Sequence, residues 1–384
     1  METVRVRLLN YANIHVDCES GIAQELSEFF SFFVPGYKFM PAFRNKLWDG
    51  KIRLFNMRDQ SIYSGLFGYI KAFCIERKIK LDTWDDPSTI KYNHPGFVYD
   101  DDLSWIKDLP IPYIPKDYQL EAIQHGLRTR SGLLVSPTAS GKSLIIYLLM
   151  RYFLATNEDK VLIIVPTTSL VKQMYGDFCE YADNDDDWFA TENCHEIMAG
   201  LDKGHKTKRV YISTWQSIYK QQKGYFQKFG MVIGDEAHNF KAKSLTSILT
   251  KCTEARYRFG LTGTLDGTQT HKLVLEGLFG PHKHITTSKT LMDRGDLANL
   301  NIDILLLKYK DEYCKEVSKM KYQDEVDWLV TSSRRNNFIK NLAIDQKGNT
   351  LILFQFVEKH GEPLFRLIND SVENGRKVFY VSGK

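Results

Sequence analysis

Three features of this sequence predict an α/β protein, a parallel sheet covered by helices with a small N-terminal α+β unit in front of it. Short, almost wholly apolar runs recur between residues 116 and 262, separated by helical patterns. A turn of small residues, 136–143, joins one such run to an apolar helix. Near the N-terminus Val4, Val6 and Leu8 alternate with Arg5 and Arg7, the period of a half-buried strand.

The chain's 384 residues suit two or three domains, and 43% hydrophobic with 26% charged residues suits packed, soluble cores. No apolar run approaches the roughly 20 residues of a membrane span. The N-terminus lacks the charged-then-apolar layout of a secretory signal, so a cytoplasmic location is expected. Six scattered cysteines without a C-x-x-C pair fit reduced intracellular thiols, and Cys194-His195 reads as loop. A net charge of +4 permits nucleic-acid binding without arguing for it.

Residues 1–86 form the first unit. Ile22, Leu26, Phe29 and Phe33 share one helical face, and Pro35-Gly36 ends that helix. Residues 37–55 then set Lys38, Arg44, Lys46, Lys51 and Arg53 against one acid, Asp49, with aromatics such as Trp48 between them. Ile52 and Leu54, alternating with Lys51 and Arg53, mark a strand with a cationic face. The stretch fits a nucleic-acid surface, cations for phosphates and rings for bases, and equally a solvated strand face over an aromatic core. A second helix covers 66–77, and residues 87–112 read as a linker rich in Pro, Asp and Tyr.

From residue 113 the parallel sheet begins, with strands expected at 133–135, 161–165, 210–213, 231–234 and 258–261. In such sheets ligands sit beyond the carboxyl ends of the strands, where the chemical-looking residues of this sequence cluster. After 133–135, the small residues of 136–141 let successive N–H groups point into one phosphate-sized concavity, and the helix over 144–154 adds its positive end. Lys142 is placed for the β- and γ-phosphates and the Ser143 hydroxyl for Mg²⁺. Ser136 stands where the usual pattern has glycine, and a plain strand–turn–helix corner is the alternative. The acidic run 183–187 reads as a solvated loop.

Asp235-Glu236-Ala237-His238 follow the fourth strand. Asp235 is placed to hold the metal's water shell opposite Ser143, and Glu236 to take a proton from the attacking water. A helix cap is the bland alternative, which the phosphate loop upstream disfavours. Leu261-Thr262-Gly263-Thr264 ends the last strand with hydroxyls directed at the same place.

With these motifs in this order, residues 112–384 resemble the superfamily 2 helicases and translocases of DEAH type. Asp117-Tyr118-Gln119 resembles the Q motif, and residues 137–143 motif I. Asp235 to His238 spell motif II, and Leu261 to Thr264 match motif III. Residues 165–173 resemble motif Ia, and Ser213-Thr214-Trp215-Gln216-Ser217 the next strand-grasping motif. Residues 350–354 resemble motif IV, which opens a second RecA-like lobe. The resemblance implies a RecA-like first lobe over 113–345 with its connection, and an incomplete second lobe over 346–384. It implies an ATP site of Gln119, reading adenine with Tyr118 or Lys116 beside the base, and of Thr138, Ala139, Ser140, Gly141, Lys142 and Ser143. Mg²⁺ falls to Ser143 and Asp235, and catalysis to Glu236 with Lys142 and Asp235. Coupling of nucleotide to DNA falls to His238, Thr262, Gly263 and Thr264, and DNA contact to Pro166, Thr167, Ser169, Thr214, Gln216 and Ser217.

The basic–aromatic N-terminal unit, above all residues 41–55, resembles more narrowly the phage recombination helicases that act on branched DNA. That implies DNA contacts at Arg44, Lys46, Trp48, Lys51 and Arg53. It also implies fork regression, Holliday-junction migration and R-loop unwinding by a monomer, on branched DNA or RNA–DNA hybrids, alongside recombination or single-strand-binding proteins and no membrane. Motifs V and VI, with their arginine finger, are missing before Lys384. The expectation is therefore a chain that binds ATP, hydrolyses it poorly and does not unwind DNA alone. The rivals are a restriction-system motor subunit and a DNA-binding scaffold with a nucleotide fold; DNA-stimulated ATP turnover separates motor from scaffold.

Overall fold

The computed structural model describes residues 2–83, 102–198, 202–241, 243–265, 269–372 and 375–382. The chain divides into two compact units, Met1–Asn299 and Leu300–Lys384. Among the described residues, no helix is long and apolar enough to cross a membrane.

The first unit starts with β1 (Thr3–Asn10) and β2 (Asn13–Asp17), an antiparallel pair that sets Val6 opposite Val16. β3 (Ser31–Phe33) and β4 (Lys51–Arg53) make a separate ribbon. β5 (Ser61–Tyr63) joins β2 antiparallel, and β6 (Lys80–Thr83) joins β1 in parallel. Val4, Val6, Ile14 and Val16 face helices Ser20–Phe29 and Phe67–Arg77, burying Ile22, Leu26, Ile70 and Phe73. Each such side chain contributes about 1.5–3 kcal/mol. The first helix is shorter than its apolar face suggests. It stops at Phe29, and Phe33, expected on that face, lies on β3. The β3–β4 ladder takes these residues out of the helix, and Phe30 fills the core instead. The linker reading of 87–112 lies outside the described residues up to 101; beyond that, Trp105–Asp108 is a short helix.

The main sheet is parallel throughout, in the order β13-β7-β12-β11-β8-β10-β9. Its strands are β7 (Ser131–Val135), β8 (Lys160–Val165), β9 (Cys194–Ile197), β10 (Val210–Thr214), β11 (Phe229–Gly234), β12 (Tyr257–Thr262) and β13 (His282–His284). The five expected strands are all present, each slightly longer. The two edge strands are additions, and β9 contains the Cys194-His195 pair read as loop. One face packs on helices Asp117–Thr129, Lys142–Thr156 and Thr168–Tyr181, the other on Lys243–Lys251 and Gln269–Phe279.

The acidic run 183–187 is not wholly solvated. Asp185 is buried, meets Arg151 at 2.6 Å, and accepts from the Asp187 and Trp188 N–H groups at 3.0 and 3.1 Å. A guanidinium this far withdrawn from water needs such a partner, which a charge run alone does not reveal.

In the second unit, helices Asp311–Val317, Tyr322–Thr331, Ser333–Asp345 and Glu362–Asn369 are formed. Ala343, Leu364 and Ile368 make its small core. Neither the apolar run 350–354, which resembles motif IV, nor the run 378–381 forms a strand. The two segments meet through the stacked rings of Phe354 and Tyr380, 5.5 Å apart, and no ladder joins them in the described residues. Apolar alternation alone does not make a strand without a hydrogen-bonded neighbour.

Candidate active site

The sheet registers bring the motif-bearing strand ends to one edge. Val135 pairs with Thr262, Thr214 with Val165, and Gly234 with both Ile164 and Gly260. The loops that follow β7, β8, β10, β11 and β12 therefore open on the same side.

After β7 the Ser136 N–H donates to the Thr262 carbonyl at 2.8 Å, which ties the phosphate loop to the end of β12. Ser136, in place of the usual glycine, is fully buried. Its hydroxyl donates to Ser140 Oγ at 2.7 Å, and Ser140 donates on to the Pro137 carbonyl at 2.7 Å. Thr138 and Ala139 form the exposed tip. Ala139 (φ +63°) and Gly141 (φ +73°) are both left-handed, and the helix then begins at Lys142. Glycine is favoured at 141 for a second reason, since a Cβ there would lie 2.3 Å from Gln119 Nε2 and displace that carboxamide.

Gln119 is buried at the start of helix Asp117–Thr129. Its Oε1 accepts from Lys116 N–H at 2.8 Å and its Nε2 donates to the Ser140 carbonyl at 3.0 Å. The carboxamide thus braces the phosphate loop. Tyr118 is buried in the core, and Lys116 is ion-paired with Asp296. Asp117 holds Arg294 through two hydrogen bonds of 2.7 and 3.0 Å, and that pairing pulls its carboxyl below the usual range. Beside them lies a hollow of about 340 Å³ lined by Tyr118, Ile285, Thr287 and Arg294.

Lys142 Nζ stands 3.8 Å from Glu236 Oε1, and Glu236 Oε2 stands 3.3 Å from His238 Nδ1. That same Nδ1 is 3.0 Å from Thr262 Oγ1, which itself donates to the Thr264 carbonyl at 2.9 Å. The Thr262 oxygen is therefore the acceptor, which places the proton on His238 Nδ1. Gly263 passes close to the loop, with Thr138 N the nearest atom to a Cβ built on it, at 3.7 Å. Asp235 is buried, and its Oδ1 has no hydrogen-bond partner among the described residues. Burial, and next the Glu236 charge, push its carboxyl above the usual range. The Ser143 hydroxyl lies 2.8 Å from Tyr181 Oη, at the end of helix Thr168–Tyr181. The motifs gave no sign of that contact.

Thr167 caps that helix, accepting from Leu170 N–H at 3.3 Å, with Thr167 and Ser169 exposed and Pro166 half-buried. At the end of β10, Gln216 is exposed, whereas Thr214 is buried with its hydroxyl 2.9 Å from Ser217 Oγ. In the N-terminal unit Arg44 and Lys46 are exposed. Trp48 Nε1 donates to the Lys51 carbonyl at 2.8 Å, and Lys51 Nζ lies 5.0 Å over the Phe33 ring. Arg53 pairs with Asp49, holding that carboxyl at about 2.

A fully parallel sheet with a phosphate loop, a DEAH tetrapeptide and a hydroxyl motif at adjacent strand ends defines a superfamily 2 helicase lobe. Comparison with known proteins agrees. Residues 113–267 match the family model "Type III restriction enzyme, res subunit", and residues 3–83 match "DNA helicase UvsW, N-terminal". The ATP-dependent DNA helicase uvsW of Enterobacteria phage T4 is 36% identical, over 99% of this chain and 75% of its own length. The chain belongs to the UvsW family of DNA helicases. Two crystal structures of T4 UvsW align with TM-scores of 0.65 and 0.66 at 36% and 34% identity. They cover 74% and 100% of this chain, and 100% and 75% of the T4 chains. A DNA 3'-5' translocase, XPB2 of Sulfurisphaera tokodaii, is 29% identical over 41% of this chain and 34% of its own.

Proposed function

We propose that this protein uses ATP to remodel branched DNA: regressing forks, migrating Holliday junctions and unwinding R-loops. The observation that carries the reading is the run of contacts Lys142–Glu236–His238–Thr262, which links a phosphate-loop lysine to the end of β12 through a single acid. The relatives' match across both the N-terminal unit and the ATP lobe supports DNA as the substrate.

In this reading the N–H groups of Ser140 and Gly141 and the Lys142 ammonium bind the triphosphate at the positive end of helix Lys142–Thr156. Gln119 Oε1, which accepts only the Lys116 N–H, has a lone pair left for the adenine amino group, and the hollow beside Tyr118 takes the base. Glu236 takes the proton of the attacking water. His238 bridges Glu236 and Thr262, so a change at the acid is felt at the end of β12. The residues present also fit Mg²⁺. A buried carboxylate with an unpartnered oxygen is costly until a cation compensates it, and Asp235 with Ser143 would hold that cation. When bound, Mg²⁺ neutralises phosphate charge as it develops. Thr167, Ser169 and Gln216 contact one DNA strand, while Arg44, Lys46, Trp48, Lys51 and Arg53 face the branch.

The test is a labelled Holliday junction incubated with ATP and a version of the protein extended past Lys384 through motifs V and VI, with Lys142→Ala and Glu236→Gln variants as controls. Junction conversion that needs ATP and both side chains is the expected result. ATP-independent conversion, or ATP turnover that branched DNA fails to stimulate beyond plain duplex, overturns the reading.

A further inference from the structure

The N-terminal unit displays apolar side chains that its own core does not use. Leu47 is 81% exposed and Phe39 75%, and neither belongs to the core that Val4, Val6 and Phe73 build. Single exposed leucines are ordinary. Leu47 differs in its setting, because it shares the wall of an open hollow of about 600 Å³ with Phe43, Trp48, Lys38, Arg44 and Lys46. The one acid on that wall, Asp49, is already held by Arg53.

The support beneath it is rigid. The Tyr37 ring stacks on Phe33 at 4.7 Å and meets Phe43 edge-on at 4.8 Å. Gly50 (φ +83°) backs onto Tyr37 so closely that a Cβ would come within 2.3 Å of the ring. Lys46 is left-handed (φ +54°), and the Leu47 N–H donates to the Ala42 carbonyl at 2.9 Å, which fixes the turn. The Trp48 Nε1 bond to Lys51 fixes the indole edge and leaves the ring to wall the hollow. A turn held this way loses little backbone freedom on binding.

We propose that Leu47 is a wedge that enters the base step at a DNA branch, while the hollow beside it receives the displaced nucleotide. Apolar wedges unstack base steps at a cost of about a few kcal/mol each, least where pairing is already lost, as at a branch. Phe43 and Trp48 offer rings for the displaced base; Lys38, Arg44 and Lys46 offer cations for its phosphates. The cationic rim matches a polyanion, and the apolar tip has no function in plain phosphate binding. The proposal rests on reading the N-terminal unit as a DNA surface.

The experiment uses the full chain and a synthetic fork with 2-aminopurine next to the branch. Binding raises the 2-aminopurine fluorescence in the unaltered protein. Leu47→Ala abolishes the rise and lowers the fork-over-duplex preference roughly five- to tenfold, while duplex affinity and its salt dependence stay the same. Leu47→Phe keeps the rise. Arg44→Ala with Lys46→Ala weakens fork and duplex alike and reduces the salt slope by about 2. If that double variant binds both DNAs normally, the DNA reading of this surface is wrong. If it is weakened but Leu47→Ala still raises the fluorescence, only the wedge is wrong.

Discussion

Replacing Gly141 with alanine tests how the phosphate loop is held. The residue sits at φ +73°, and an added Cβ meets Gln119 Nε2 at 2.3 Å. The left-handed conformation costs alanine about 1–2 kcal/mol. Displacing Gln119 from the Ser140 carbonyl, a 3.0 Å bond, forfeits about 1 kcal/mol more. Nucleotide binding requires the loop in this shape, so the sum of about 2–3 kcal/mol appears as a Kd roughly 30- to 150-fold weaker. The assay is titration with a fluorescent ATP analogue and Mg²⁺. Gln119→Ala alone forfeits the bond and weakens binding about fivefold. In the Gly141→Ala background it also removes the collision, so the double variant is less impaired than the two single effects summed, by about 0.5–1 kcal/mol. Binding by Gly141→Ala within about twofold of the unaltered chain, or strict additivity, refutes the brace.

Three further outcomes follow from the same geometry. Asp185→Ala leaves the largely buried Arg151 guanidinium with the Tyr147 hydroxyl and the Trp188 ring but no counter-charge, and two N–H groups without an acceptor. It should cost about 3 kcal/mol and lower the Tm by roughly 6 °C or more in a thermal melt; an unchanged Tm contradicts the role given to Asp185. Asp235 has a folded-state pKa raised above its unfolded value, so its ionised form destabilises the metal-free protein above that raised pKa, and the penalty fades as pH falls through it. Asp235→Asn should therefore raise the metal-free Tm at pH 8, raise it less at pH 5, and abolish hydrolysis; a lower Tm at pH 8 counts against the buried charge. Tyr181→Phe removes the hydroxyl 2.8 Å from Ser143 Oγ. With that competitor gone, the Mg²⁺ concentration for half-maximal nucleotide binding should fall about two- to tenfold, and a rise would show that Tyr181 supports the metal site.

The sheet was readable wherever burial alone decides it. Strands β7, β8 and β10 to β12 lie in the middle, covered on both faces, so each announces itself as a continuous apolar run. The edge strands do not. His282-Lys283-His284 contains no aliphatic residue and is a strand because its ladder pairs with 133–135. The same logic runs in reverse at 350–354 and 378–381, apolar runs that form no ladder. Strand-end placement of Lys142, Asp235, Glu236, His238 and Thr262 followed from their order and spacing. What spacing does not carry is contact between distant segments. Gln119 bracing Ser140, Tyr181 reaching Ser143, and Tyr69 donating to Glu276 at 2.6 Å each join residues from separate elements. Asp185, one acid of a charged run, became distinguishable only through Arg151.

If Lys142, Asp235 and Glu236 surround one metal-bound triphosphate, equilibrium binding of a fluorescent ATP analogue with Mg²⁺ must show it. Lys142→Ala should weaken binding about a hundredfold or more, while Glu236→Gln should bind as tightly as the unaltered chain and fail only in hydrolysis. Unaltered affinity in Lys142→Ala would mean that the ammonium does not meet the phosphates.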